Sequence, residues 1–541
     1  MTRPPEPQTE TLDALTRRVA ELEAELAATT RLLGTYKAML FGSRSEKARI
    51  VLDGQGQFDL GDLRPAGPMV APANDDPAPI PARSRARRNI GALPRHLPRI
   101  VHIIEPDSTD CTCCAGAMHK IGEDVSEALD IVPAILRVIA TVRPRYACRA
   151  CEGAIVQAPT PRRMIEGGMA TTSLIAWVVT QRFAWYLPAY RQTQMLAGQG
   201  LRIDRSTLSR WIRAAAWWLQ GLYDRQLRAI HSHPRIHVDE TRMPVIGRGG
   251  GSGAKGAGGK VRIDQFWAHG TDDRPWNGPA PPAVCYVHAL ARSHAEIAAQ
   301  LARYQGVLQV DGYRAYKALE DPNRPAGQIR LAFCMAHLRR RFVDLHKSTR
   351  SPITAQIIAL LSRIYRIEAE IRGTDAGHRQ AVRQARSRPI IDELKALFDE
   401  TLPRVAQTSQ LAEHIRYAHG HWRGLTLFLE DGRIEIDNNM IERQMRPIGI
   451  GRRNSLFAGN EAGAHSWAVL ASLLQTAKLN GLDPFVWLDD VLTRMVSGAV
   501  RNNDLDQLLA WNWQRCPRVG MLEIKRLFGG SPTFRSGSGM Q

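Results

Sequence analysis

Between Thr11 and Leu33, apolar side chains recur at Leu12, Leu15, Val19, Leu22, Leu26 and Leu33, in alternating steps of three and four with Thr29 out of character. That spacing gathers them into one heptad seam. Arg17, Arg18, Glu21, Glu23 and Glu25 keep the other faces wet. An isolated helix of this length is marginal in water, so the pattern predicts a short coiled coil and self-association. From about Val51 to Pro98 the periodicity gives way to Pro, Ala, Gly and Asp with the basic patch "RSRARR", the text of a flexible linker.

From about Thr171 to Gln220 the period is helical, with Trp177, Phe183, Trp185, Trp211, Trp217 and Trp218 marking apolar faces. Inside it, "RQTQMLAGQGLRIDRSTLSRWI" reads as a helix, a break at Gly200, an apolar link and a second helix capped by Asp204 or Ser206. This is a helix-turn-helix pattern, with an ordinary helical hairpin as the plainer alternative. Its second helix carries Arg205, Ser206, Thr207, Ser209 and Arg210, which suit contacts to phosphates or base edges.

After Pro234 the period switches to two. "RIHVDETRMPVI", "VRIDQFWAHG" and "AVCYVHAL" predict three strands, the first two joined across a glycine-rich loop at about Gly247 to Gly259. A helix at about Ser293 to Tyr304, the short strand of "GVLQVDGYRAY" ending in Asp311, another helix, "RLAFC" and the helix "MAHLRRRFVDLH" follow. Three strands and then alternating helix and strand is the order of a ribonuclease-H-like fold. Helical text at about 350–430 reads as an insertion before a last helix in "EIDNNMIERQMRPIGIGRRN", whose Asp437 is expected to cap it, and "LLAWNWQ" predicts a helix packed on the same domain. The chain thus divides into a coiled coil (1–49), a linker (50–98), a zinc-finger-like unit (99–160), a helix-turn-helix region (161–229), an α/β catalytic domain with its helical insertion (230–480) and a C-terminal helical region (481–541).

Composition narrows the class. At 541 residues the chain exceeds one ordinary core, and no run of about 18 apolar residues is present to span a bilayer. The start, "MTRPPEPQTE", lacks the apolar core of a signal peptide, so a cytoplasmic, reducing location is expected for the eight cysteines. A net charge of +19 and a pI near 10.0 suit a polyanionic partner, nucleic acid ahead of membrane. The excess of Arg over Lys carries little weight, since biased codons produce it as readily as a preference for phosphate.

Two clusters carry chemistry. "CTCC" and "CRAC" place Cys111, Cys114, Cys148 and Cys151 as two C-x-x-C pairs, and four thiolates at that spacing close a tetrahedron around structural Zn²⁺. Cys113 competes with Cys114 in register, and redox or inert cysteines are the alternative. In the second cluster, Asp239 and Asp311 lie on strands that the predicted order sets side by side. Acids on apolar strands are costly without a compensating cation. Carboxylate oxygens suit Mg²⁺ or Mn²⁺, and Glu442, arriving from a helix, completes a site for two such ions. Arg443, Arg446, Arg452 and Arg453 follow it, suited to holding a phosphate backbone. Glu240, Asp264, Asp489 and Asp490 are competing acids, and Cys334 with His337 form a lone C-x-x-H more typical of a core than of a metal site.

These motifs together resemble the IS66 family of insertion-sequence transposases. The likeness runs in order through "LFGSRSEK", "GEDVSEALDIVPA", "RPRYACRACE", "DRSTLSRWI", "HVDET", "LQVDGYRAY", "FCMAHLRRRF", "DNNMIERQMRPIGIGRRNSLFAG" and "LLQTAKLNGLDPFVWLDDVL". The resemblance implies a DDE triad of Asp239, Asp311 and Glu442. It also implies recognition of terminal inverted repeats and target DNA, homo-oligomers paired through the coiled coil, and accessory proteins from the same element. Met335 stands where the family generally has Trp, and Arg453 where it has Lys. A non-catalytic DNA-binding repressor and a ribonuclease-H-like nuclease are the competing functions.

Overall fold

The computed structural model describes residues 136–147, 155–247 and 261–515. The coiled coil, the linker, Cys111, Cys113, Cys114, Cys148 and Cys151, most of the glycine-rich loop and the end of the tail lie outside them.

A small antiparallel hairpin pairs β1 (Arg145–Ala147) with β2 (Ile155–Gln157). Three helices follow: α1 (Thr172–Phe183), α2 (Ala189–Gly198) and α3 (Arg205–His231). Gly200, at φ +85°, makes the turn between α2 and α3, a conformation that costs a residue with a Cβ. The N-cap of α3 is Asp204. At 27 residues α3 runs about 40 Å. Its first turns are exposed on one face and bury Leu208 and Trp211 on the other, and its second half is keyed into the sheet by Tyr223, whose hydroxyl donates to the Tyr286 carbonyl at 2.8 Å.

The sheet has five strands in the order β5-β4-β3-β6-β7: β3 (Arg235–Ile246), β4 (Val261–Thr271), β5 (Ala283–Ala289), β6 (Gly306–Val310) and β7 (Ile329–Phe333). The first three form an antiparallel meander, and β6 joins β3 in parallel after the short helix α4 (His294–Gln300). A 3₁₀ helix at Arg314–Glu320 then leads to β7, parallel to β6. At the β5 edge, the Tyr286 and Val284 amides donate to Ser472 Oγ (2.7 Å) and Thr476 Oγ1 (3.0 Å) of α11 (Glu461–Leu479). A buried strand edge is thereby satisfied by side chains instead of another strand. Nearly every residue of α11 from Ala464 to Ala477 is buried, as expected of a helix apolar on all sides.

After β7, α5 (Met335–Thr349) leads into a helical layer of α6 (Pro352–Glu370), α7 (Ala376–Val382), a π-helical turn at Arg383–Ser387, α8 (Arg388–Thr401) and α9 (Gln410–Thr426). Ile357, Leu360, Leu361, Ile364 and Ile367 make the apolar stripe of α6, and Phe342 stacks on Phe398 at 5.5 Å to join α5 to α8. The chain returns to the sheet in α10 (Asn439–Ser455) and closes with α12 (Pro484–Ser497). Gly270 makes room for α10, because a Cβ there would press on Ile441 and Met440. The segment "LLAWNWQ" is not the expected helix. A 3₁₀ stretch at Asn502–Leu508 ends there, and Trp513 instead donates to Asp490 at 2.8 Å. No helix among the described residues is long and apolar enough to cross a membrane.

Candidate active site

Register explains how two acids far apart in sequence come together. The parallel ladder pairs Arg235 with Val307, Ile236 with Leu308 and His237 with Gln309, a constant offset of 72 (307 minus 235). Asp239 and Asp311 have the same offset (311 minus 239), so they stand level just beyond the last paired rung. Alternation along the strands then puts Arg235, His237 and Asp239 on one face with Gln309 and Asp311. Glu442 comes to that face from the first turn of α10, which packs on β3.

The electrostatics follow from this placement. Burial pushes the Asp239 carboxyl well above the usual carboxylate range, and the charges of Glu240, Asp311 and Glu442 push it further. Its Oδ1 accepts from the Glu240 amide at 2.9 Å, and Asp311 Oδ1 accepts from the Tyr313 amide at 2.9 Å. Asp311 and Glu442 keep 23% and 21% of their side-chain surface exposed, so solvent reaches the group.

Glu240 lies on the opposite face of β3 and is engaged there. The Tyr316 hydroxyl donates to Glu240 Oε2 at 2.6 Å, and Arg292 is ion-paired with Oε1. Arg292 also lies 4.0 Å from Asp311 Oδ2 and 3.7 Å above the Tyr313 ring, so one guanidinium serves both faces of the strand ends. Asp264 is committed to Arg262 and to His288 at 2.7 Å. Asp490 pairs with Arg494 at 2.7 Å, and Asp489 accepts from Ser173 at 2.8 Å. The other acids therefore have structural partners.

Beneath the carboxylates runs a buried polar chain. Arg235 donates to His237 Nε2 (2.6 Å), His237 Nδ1 donates to Asn438 Oδ1 (2.8 Å), and Asn438 Nδ2 donates to the Val238 carbonyl (2.9 Å). Burial and the adjacent guanidinium lower the His237 pKa to about 3, so its ring is neutral, as this chain of donors requires. Gln309 completes it, donating to the Glu435 carbonyl (2.9 Å) and accepting from the Glu435 amide (3.0 Å). These bonds fix the start of α10 against β3 and β6.

Asp437 is not the helix cap that the sequence suggested. The N-cap is Asn438, whose side chain turns inward to His237, while Asp437 Oδ1 accepts from the Asn439 amide at 3.1 Å. Burial raises the Asp437 pKa to about 7, with Glu435 and Glu442 adding to it. Of the following arginines, Arg443 and Arg453 are exposed and Arg446 half-buried, whereas Arg452 donates to the Arg242 carbonyl and tethers α10 to β3. On α3, Arg205 and Arg210 are exposed and Thr207 is half-buried.

Cys334 and His337, read as core residues from sequence, both face Glu442. Cys334 Sγ lies 3.9 Å and His337 Nδ1 3.6 Å from Glu442 Oε1. Sequence reading also missed Arg292, Tyr316, Arg235, His237 and Gln309. Of these, only the polar spacing of Arg235, His237 and Asp239 on a strand otherwise apolar held a signal.

Family models match along most of the chain. Residues 167–466 match the family model described as transposase IS66 family. Residues 108–152 match the zinc-finger binding domain of transposase IS66, residues 472–511 the IS66 C-terminal element, and residues 28–101 a model described as Transposase C of IS166 homeodomain. The uncharacterized protein y4jD of Sinorhizobium fredii is 49% identical over 510 residues, covering 93% of this chain and 96% of that protein. A second uncharacterized protein of the same organism, y4qI, is 38% identical, with 93% of each chain covered. No solved structure matches significantly. The chain belongs to the IS66 transposase family.

Proposed function

We propose that the protein is a DDE-type transposase that binds the inverted-repeat ends of an insertion sequence, cleaves DNA there and joins the freed ends to target DNA. The observation that carries this reading is the level placement of Asp239 on β3 and Asp311 just past the end of its parallel neighbour β6, with the charge of Glu442 near enough to act on Asp239. The strand order β5-β4-β3-β6-β7 supports a ribonuclease-H-like core, and the helices between α5 and α10 are then an insertion within it.

The donor set fits hard divalent cations: three carboxylates on a partly open face, one of them pushed towards its neutral form by burial and by the charges of its neighbours. Asp239, Asp311 and Glu442 would hold Mg²⁺ or Mn²⁺. When bound, such ions supply a lowered pKa for water or a 3′-hydroxyl and neutralise charge developing on phosphate. The protein's own part is positioning. Tyr313 and Glu240 amides orient the aspartates, the Arg235–His237–Asn438 chain seats α10, and Arg443, Arg446 and Arg453 hold the DNA backbone near the cut. Arg205, Thr207 and Arg210 would read or grip the ends, the Cys111, Cys114, Cys148 and Cys151 unit would be built by Zn²⁺, and the coiled coil would pair two protomers so that both ends are held.

Asp311→Asn tests the assignment. It is expected to abolish cleavage of end-bearing DNA while binding of that DNA stays within about twofold. Retained cleavage would remove Asp311 from the site.

A further inference from the structure

The C-x-x-H of Cys334 and His337 falls where β7 turns into α5. Cys334 is the N-cap and His337 lies in the first turn, so the two side chains share a helix face. The third group comes from α10, more than 100 residues away in sequence: Glu442 Oε1 stands 3.9 Å from Cys334 Sγ and 3.6 Å from His337 Nδ1. All three ligand atoms lie within 4.8 Å of one another. Metal–sulfur distances of about 2.3 Å and metal–nitrogen or –oxygen distances of about 2.0–2.2 Å give tetrahedral edges of roughly 3.3–3.7 Å. The two spacings to Glu442 Oε1 are close to those edges, and the third is bounded by 4.8 Å.

Two further observations point to a ligand. His337 Nδ1 is buried without a hydrogen-bond partner, although a buried ring nitrogen ordinarily has one. The Asn438 amide donates to Cys334 Sγ at 3.2 Å, the kind of outer contact that steadies a ligating thiolate. Cys334 is itself only 3% exposed.

We propose that Cys334 Sγ, His337 Nδ1 and Glu442 Oε1 bind one Zn²⁺ ion, leaving a fourth position for water. A thiolate, an imidazole and a carboxylate suit this borderline-soft cation and not Mg²⁺. On binding, the Cys334 thiol proton passes to solvent. One thiolate and one carboxylate then balance the charge of the ion, as a mostly buried site requires. Both contacts fall on Glu442 Oε1, so Oε2 is the oxygen available to the Asp239–Asp311 pair. Glu442 thus joins a soft site to the hard one proposed for catalysis. Zinc binding at the soft site does not require the catalytic reading to hold.

The test is zinc content, measured by mass spectrometry on full-length protein loaded with Zn²⁺ and dialysed against metal-free buffer. Wild type is expected to retain one more equivalent per chain than Cys334→Ser or His337→Ala, a difference in which zinc held by the other cysteines cancels. In Co²⁺-loaded protein, the thiolate-to-cobalt absorption of wild type should exceed that of Cys334→Ser. His337 is 30% exposed, so His337→Ala carries the comparison if the cysteine variant fails to fold. Equal zinc in wild type and a folded His337→Ala would overturn the proposal. Neither readout involves DNA, so loss or absence of cleavage has no bearing on it.

Discussion

At the scale of single residues, the site is defined by charges that burial makes unfavourable. Asp437 shows this most simply, because its carboxyl sits at about 7 in the folded chain against an ordinary value of 3.8. A carboxyl raised on folding binds more protons in the native state than in the unfolded one. Its stabilising contribution is therefore complete below about pH 4 and lost as pH rises through about 7. Asp437→Asn removes the charge and keeps an oxygen for the Asn439 amide. It is expected to melt above wild type at pH 8, with the difference shrinking towards pH 5 in parallel thermal scans. A difference that grows towards low pH would contradict this assignment. Asp239 was readable in the sequence because an acid on an apolar strand is conspicuous. Arg292 was not readable, because its contacts to Glu240 and Asp311 join residues distant in sequence that no local pattern encodes.

At the scale of elements, the helical layer does more than cover the sheet. Arg383 is fully buried; it donates to Glu368 at 2.8 and 2.7 Å and to the carbonyls of Phe428 and Ile434, both at 2.9 Å. Arg379, also buried, reaches Glu435 at 2.6 Å, and Glu435 is the residue bound twice by Gln309 just before α10. The layer is thus bolted to the segment that delivers Glu442. Removing one partner of a buried ion pair costs up to about 3–5 kcal/mol, and less here because Glu368 keeps Arg379 at 3.4 Å. Arg383→Met is expected to lose stability on that scale in urea titration, and Arg383→Met with Glu368→Gln to lose less. Equal losses would show that the pair is not the bolt. The helices of this layer were legible from their apolar stripes, as were the strands from alternation. The arginine–glutamate lock was not, since charged residues in helices ordinarily read as solvated faces. The tail around "LLAWNWQ" misled for a related reason: its apolar residues pack from an irregular stretch, not from a helix face.

At the scale of the whole molecule, α3 is long enough to join two regions. Its exposed start carries Arg205 and Arg210, while Tyr223 and Gln226 fix its later turns to the β5 edge. A rigid helix spanning both would set DNA gripped at one end at a fixed distance from the sheet. With a net charge of +19, binding should fall steeply with salt. Arg205→Ala and Arg210→Ala are each expected to lower the slope of log affinity against log salt by about one if each meets a phosphate. An unchanged slope would take them off the DNA. The family was legible from the order of motifs along the chain, and the sheet order follows the expected succession of strands and helices. The level pairing of Asp239 and Asp311 needed the register.

The central claim is that Asp239, Asp311 and Glu442 together cut and join DNA. The most direct measurement incubates the full-length protein with labelled DNA bearing the element's end, in Mg²⁺ or Mn²⁺ and in EDTA, with products mapped to the nucleotide. Nicking at the element boundary and joined molecules, both dependent on metal and both lost in Glu442→Gln, are the predicted result. End binding with no cleavage in any metal, or cleavage that survives Glu442→Gln, would contradict it.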